Sequence, residues 1–172
     1  NFRSPQIDLD SLYGLGPKEE PQLYQDGARL KIGETITGDS IKKTFLNDLP
    51  RAGYGHEDPT EALIADPRND DNLATAQTDV ACAKFHNKVV DTLQRGEGNF
   101  SKACPLHPAG CPPDELFECA RREVVQHFQA IILEDFLPKI LDKRGLACVS
   151  GGRPRFFKID PREGMYMPLE FS

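Results

Sequence analysis

The stretch from Ala65 to Leu93 limits most sharply what this chain can become, because a helix start and a long apolar period stand side by side in it. Asp66 is a good N-cap. Pro67 suits the first helical position, where its missing N–H has no partner anyway, and Asp70 and Asp71 put negative charge in the first turn. Cys82, Phe85, His86, Val89, Val90 and Leu93 then recur at steps of three and four until Gly96 and Gly98 stop the pattern. The spacing predicts a helix over about residues 66–95 with one buried face and Arg68 in its first turn. At about 1.5 Å per residue such a helix can cross a whole domain.

Around that helix the chain divides plainly. Residues 1–64 are punctuated by Gly14, Gly16, Pro17, Pro21, Gly27, Gly33, Gly38, Pro50, Gly53, Gly55 and Pro59, so no helical period completes three turns and the segment is expected to be irregular. Leu23-Tyr24 and Arg29 to Gly33 could form a short hairpin across Asp26-Gly27. A loop is expected over 96–113. Asp114 then caps a second helix over about 114–137, with Phe117, Val124, Val125, Phe128, Ile131, Ile132 and Phe136 as its apolar face. Pro138 removes the N–H that the Glu134 carbonyl would accept, so that helix ends or kinks there, and the tail over 145–172 reads as irregular. The fold class is therefore mainly α.

Length and composition exclude some functions. A chain of 172 residues can bury a real core, and its net charge of -6 with no cluster of Lys or Arg argues against binding nucleic acid. No apolar run approaches the roughly 20 residues of a membrane span. Asn1-Phe2-Arg3-Ser4 is neither an initiator nor a signal peptide, so the sequence is expected to begin inside a longer polypeptide.

Five cysteines cannot all pair within the chain. Cys82 and Cys119 fall on apolar helix faces, where a free thiol behaves as a small hydrophobe. Cys104, His107 and Cys111 lie close in sequence, and either a Cys104–Cys111 disulfide or a zinc-stabilised module is conceivable there, although zinc needs a fourth ligand. Tyr13 reads as a buried ring with its hydroxyl satisfied, and His86, alone on an apolar face, as a hydrogen-bonded core histidine.

Three blocks carry a resemblance. Asp66-Pro67-Arg68-Asn69-Asp70-Asp71-Asn72 followed by His86-Asn87 resembles the arginine helix of the animal-type haem peroxidases, the peroxidase–cyclooxygenase superfamily, in its bacterial form. Ile7 to Gly14 resembles the family's segment upstream of that helix, and Glu115 to Leu141, with Gln126 to Pro138, resembles the helix that follows. The chain is similar to a central portion of one catalytic domain. Asp79 departs from the histidine often found at that point of the family pattern.

The resemblance implies a haem-dependent peroxidase, an oxidoreductase that reduces hydrogen peroxide, oxidises a small electron donor and belongs to the response to oxidative stress. It implies Arg68 as the catalytic distal arginine, and Arg68, Asp71 and Asn72 as the residues facing haem b. Asp71 stands where mammalian relatives carry an esterified glutamate, and Asn72 where one branch uses a methionine, so haem is expected to be held without covalent bonds or by at most one. The iron and its metal-binding histidines are implied to lie outside the chain, with neither His56, His86, His107 nor His127 matching by motif. Calcium is possible in the full-length protein. The partners implied are peroxide, the donor and the rest of the parent polypeptide, with a lean toward a secreted location. A fatty-acid dioxygenase of the same superfamily, or a non-catalytic helical module that has lost haem, would share these blocks.

Overall fold

A computed structural model describes residues 6–35, 45–53, 55–97 and 111–151 of the chain. They are mainly helical. In chain order they form α1 (Asp10–Tyr13), a 3-10 turn at Pro21–Leu23, the antiparallel strands β1 (Gly33–Thr35) and β2 (Phe45–Asp48), a 3-10 turn at Pro67–Asp70, α2 (Leu73–Gln94), a 3-10 turn at Pro113–Glu115, α3 (Leu116–Ala130), a π-helical stretch at Ile131–Phe136, α4 (Leu137–Ile140) and α5 (Lys143–Ser150). The described residues separate into a larger unit, residues 9–124, and a smaller one made of those before Leu9 and those from Val125 to Gly151. None of the described helices is long and apolar enough to cross a membrane.

In the larger unit the core gathers around α2. Ala76, Val80, Ala83, His86, Val89 and Val90 are its buried residues, spaced for one face. Phe85, expected on that face, is 37% exposed, and Cys82 is half-buried: the true stripe runs through the smaller side chains, which let the N-terminal segment come close. Leu49, Ala76 and Val80 form one cluster with Ile32, Ala62 and Ile64 packed against it.

The N-terminal segment, short of regular structure, is fixed to α2 by side chains that do the work of a sheet. Asn87 donates to the Leu30 carbonyl and accepts from the Leu30 N–H, both at 2.9 Å, as a neighbouring strand would. Arg29 reaches Asp91 from Nε at 3.0 Å and from Nη2 at 2.7 Å, and also donates to Gln94 and Asp26. The expected hairpin is present in its smallest form, a Tyr24–Leu30 bridge turned at Asp26, whose carboxylate accepts from the Ala28 and Arg29 N–H groups. Strands β1 and β2, inside the stretch expected to be irregular, pair on the far side of Gly33, where the Leu49 carbonyl approaches too closely to leave room for a Cβ.

Two boundaries differ from the expectation. The long helix begins at Leu73 rather than at 66, because Asp66 caps only a 3-10 turn, and Asn72, in an extended conformation, then caps α2 by accepting from the Thr75 N–H at 3.0 Å. Two N-caps in series break what one pattern made continuous. The second helix outlasts Pro138 by adopting π geometry before it, the Leu137 N–H reaching back to the Ile132 carbonyl, so the proline is accommodated by a wider turn. Residues 143–150 are helical where an irregular tail was expected. The remainder of that tail, most of the 96–113 loop, Cys104 and His107 lie outside the described residues.

The apolar face of α3 and its continuation is buried only at its start. Leu116, Phe117, Cys119, Ala120 and Val124 are buried, whereas Ile131 is 55% exposed and Phe136 is 49% exposed. Phe117→Ala should therefore destabilise the chain by about 3–5 kcal/mol. Ile131→Ala should cost less than about 0.5 kcal/mol, and urea unfolding of the two variants measures the contrast.

Candidate functional site

Arg68 stands on the Pro67–Asp70 turn, not in the first turn of the long helix. Asp66 is extended, as a residue before proline tends to be, and its carboxylate accepts from the Arg68 N–H at 3.1 Å, which closes the turn. The same carboxylate takes the edge of the guanidinium, Nε at 3.1 Å and Nη2 at 2.8 Å. The partners differ in exposure: the Arg68 side chain is 53% exposed and that of Asp66 only 5%. Asp66 thus anchors the pair from within, and Arg68 presents Nη1, which makes no hydrogen bond to the described residues. The pairing, with further help from Asp10 and Asp71, raises the Arg68 pKa, so the charge is permanent at any working pH.

The turn is held at two more points. Asn69 donates from Nδ2 to the Ser11 carbonyl at 3.3 Å and to Asp79 at 3.0 Å, tying the turn to α1 and α2. Asp70 receives a bidentate pair from Arg51, Nη1 at 2.6 Å and Nη2 at 3.1 Å, while Arg51 also binds Asp48 and the Thr60 carbonyl. Arg51 and its role were not legible in the sequence, since nothing in spacing marks a contact of this kind; the clue was only that three acids, Asp66, Asp70 and Asp71, flank Arg68. Of the other expected site residues, Asp71 is exposed and its N–H bonds the Arg68 carbonyl, and Asn72 commits its side-chain oxygen to capping α2. All three residues lie on one turn and its exit.

The histidines separate clearly. His86 is fully buried, Nε2 at 2.8 Å from the Ala28 carbonyl and Nδ1 at 3.1 Å from the Tyr13 hydroxyl, as a core histidine should be. His56 and His127 are exposed. Among the described residues no group of three His, Cys, Asp or Glu side chains could hold a metal ion. The zinc reading is overturned more directly, because Cys111 is bonded to Cys119 in a disulfide and neither sulfur can be a thiolate ligand. Cys119 is accordingly not the free thiol expected, and Cys111 does not pair with Cys104; the bridge joins a residue just ahead of the Pro113–Glu115 turn to α3 across a separation of 8. Cys82 and Cys148 are free.

Asp79 is the titratable group behind the turn. Burial raises its pKa to about 6 from the ordinary 3.8, the charge of Asp66 adds to this and the Asn69 amide opposes it. A carboxyl whose folded pKa exceeds its unfolded one favours folding most below the unfolded value, and that contribution is lost as pH rises through about 6. Asp79→Asn should therefore stabilise the chain at pH 7 by roughly 1–3 kcal/mol, and the gain should vanish near pH 4. Denaturant unfolding of both proteins across that range tests the sign.

A model of the animal haem peroxidase family matches residues 1–160. No curated protein and no solved structure matches the chain.

Proposed function

Because this chain belongs to the animal haem peroxidase family, we propose that it is the central part of a peroxidase that reduces hydrogen peroxide and oxidises a small donor, with Arg68 as the distal arginine. The observation that supports this reading is the clamp at the Pro67–Asp70 turn: a buried carboxylate grips one edge of the guanidinium and leaves Nη1 directed away from it. Haem, when bound, supplies the redox-active iron. Arg68 supplies a fixed positive charge and N–H donors to the oxygen that gains negative charge as the O–O bond breaks, without changing its own protonation state. Asp66, Asn69 and the Arg51–Asp70 pair keep the turn from relaxing, so the donor is in place before the charge develops.

The residues present fit a distal half of such a site. His86 cannot ligate iron, since both ring nitrogens are engaged inside the core. On this reading, as the family resemblance implies, the iron ligand comes from outside this chain. On this reading Asp71, which is exposed, would be the carboxylate facing haem b, whereas Asn72 has its side-chain oxygen engaged. The Cys111–Cys119 disulfide supports an oxidising, extracytosolic compartment.

In the complete haem-loaded protein, Arg68→Leu should slow the peroxide-induced change of the Soret spectrum by about 10²–10³-fold; an unchanged rate in stopped-flow mixing would remove Arg68 from the reaction. The chain of 172 residues, titrated with haemin by itself, should give no stoichiometric Soret complex, and a tight one would assign iron ligation to one of its four histidines.

A further inference from the structure

Tyr13 and His86 make a buried acid–base pair that the arginine clamp does not use. Both side chains are wholly shielded from solvent. A backbone carbonyl can only accept, so the 2.8 Å contact to Ala28 fixes the proton of the neutral imidazole on Nε2. Nδ1 is then a bare lone pair, and the Tyr13 hydroxyl donates to it at 3.1 Å. Among the described residues the phenol therefore has this one hydrogen-bonded base to which it can pass a proton.

The surroundings restrict what that proton can do. Phe117 packs edge-on against Tyr13 at 5.8 Å and Tyr24 packs edge-on against Phe117 at 5.4 Å, so the pair sits in an aromatic cluster. The Arg121 guanidinium lies 5.4 Å from the centre of the Tyr13 ring. A positive charge there disfavours a radical-cation ring, so it favours the oxidised state in which the phenolic proton has left. Burial, with Arg29 nearby, depresses the His86 pKa, so an imidazolium formed there returns its proton readily. Burial likewise keeps the phenol protonated at rest.

We propose that Tyr13 and His86 form a proton-coupled electron relay. A strong one-electron oxidant takes one electron from Tyr13 and is itself reduced by one; the O–H bond breaks as an N–H bond forms at His86 Nδ1. The products are a neutral phenoxyl radical and an imidazolium that still donates from Nε2 to Ala28. An electron from a donor outside the pair then reduces the radical while the proton moves back, and both residues return to their resting forms. In the cell the oxidising equivalent comes from peroxide, a step that rests on the peroxidase reading. The path is short on the chain: Ser11, on the same turn of α1 as Tyr13, is hydrogen-bonded to Asn69, the neighbour of Arg68.

Flash-quench oxidation of the chain with a ruthenium polypyridyl complex tests the pair without haem or peroxide. The expected result is a transient phenoxyl absorption and radical resonance that forms more slowly in D2O, is lost in Tyr13→Phe, and is lost in His86→Gln, which keeps an acceptor and a donor but no base. Circular dichroism establishes that the variants are folded. Should either fail to fold, electron-nuclear double resonance on the wild-type protein labelled with 15N-histidine decides instead, the expected signature being an exchangeable proton coupled to the phenoxyl oxygen together with a histidine nitrogen coupling. A radical of equal yield in folded Tyr13→Phe or folded His86→Gln, or the absence of that coupling, overturns the relay. Since the photo-oxidant stands in for peroxide, an intact relay without peroxide turnover and peroxide turnover without a relay are separate results.

Discussion

The hydrogen-bonded imidazole of His86 is the constraint on which the larger unit depends. An imidazole removed from water needs a partner at each nitrogen or costs on the order of 1–3 kcal/mol for each lost bond. His86 finds its two partners on two different segments, Tyr13 on α1 and Ala28 in the loop that follows. Three stretches remote in sequence are thereby fixed to one ring. Its neighbour Asn87 and, one turn later, Asp91 continue the same edge of α2 with bonds to Leu30 and Arg29. A segment too rich in Gly and Pro to carry its own ladder borrows one from a helix, and the polar residues on α2 that look out of place among Val89 and Val90 are the ones that make this possible.

What the sequence made legible follows from where the signal was local. The burial of His86, Val89 and Val90 on α2, a capping role for Asp66, the stop at Gly96 and the buried hydroxyl of Tyr13 are each decided within a few residues and are found in the structure, whereas Asp66 caps only a 3-10 turn and Phe85 is not on the buried face. Where two local signals competed, pattern reading failed: Asn72 is as good a cap as Asp66, and a run of polar residues between them allowed the chain to restart its helix. Buried and exposed stretches of α3 look alike in a hydrophobic pattern, because Phe136 and Ile131 have the period of a core face whether or not anything covers them. Disulfide pairing was beyond reach from spacing alone. Cys104 and Cys119 lie almost equally far from Cys111 in sequence, and the 3-10 turn at Pro113–Glu115 folds the chain back far enough to join Cys111 to Cys119.

Long-range ion pairs were the least visible part of the candidate site. Arg51 and Asp70 are 19 residues apart, and no periodicity connects them. Yet the partition of three acids around Arg68 is orderly. Asp66 lies beneath the turn and takes the guanidinium; Asp70 faces sideways and takes Arg51; Asp71 points to solvent. Had Asp70 or Asp71 paired with Arg68 instead, the guanidinium would lie against the surface with its donors shared among exposed carboxylates. Giving Asp70 to Arg51 removes one competitor and stiffens the turn at the same time.

The pairing of Arg68 with Asp66 is better understood as orientation than as a source of stability. An ion pair with one side chain half in water gains little from Coulomb attraction, because solvent screens it and the long side chain loses rotamer freedom. The buried member changes the balance. Asp66, 4% exposed, could not stay ionised there without donors, and it has the Arg68 N–H and two guanidinium N–H groups to satisfy it. The carboxylate therefore needs the arginine more than the arginine needs the carboxylate. That asymmetry leaves Arg68 with a fixed direction, a permanent charge and, among the described residues, an unspent donor at Nη1, which is the combination an anion-stabilising group requires and an ordinary surface salt bridge does not supply.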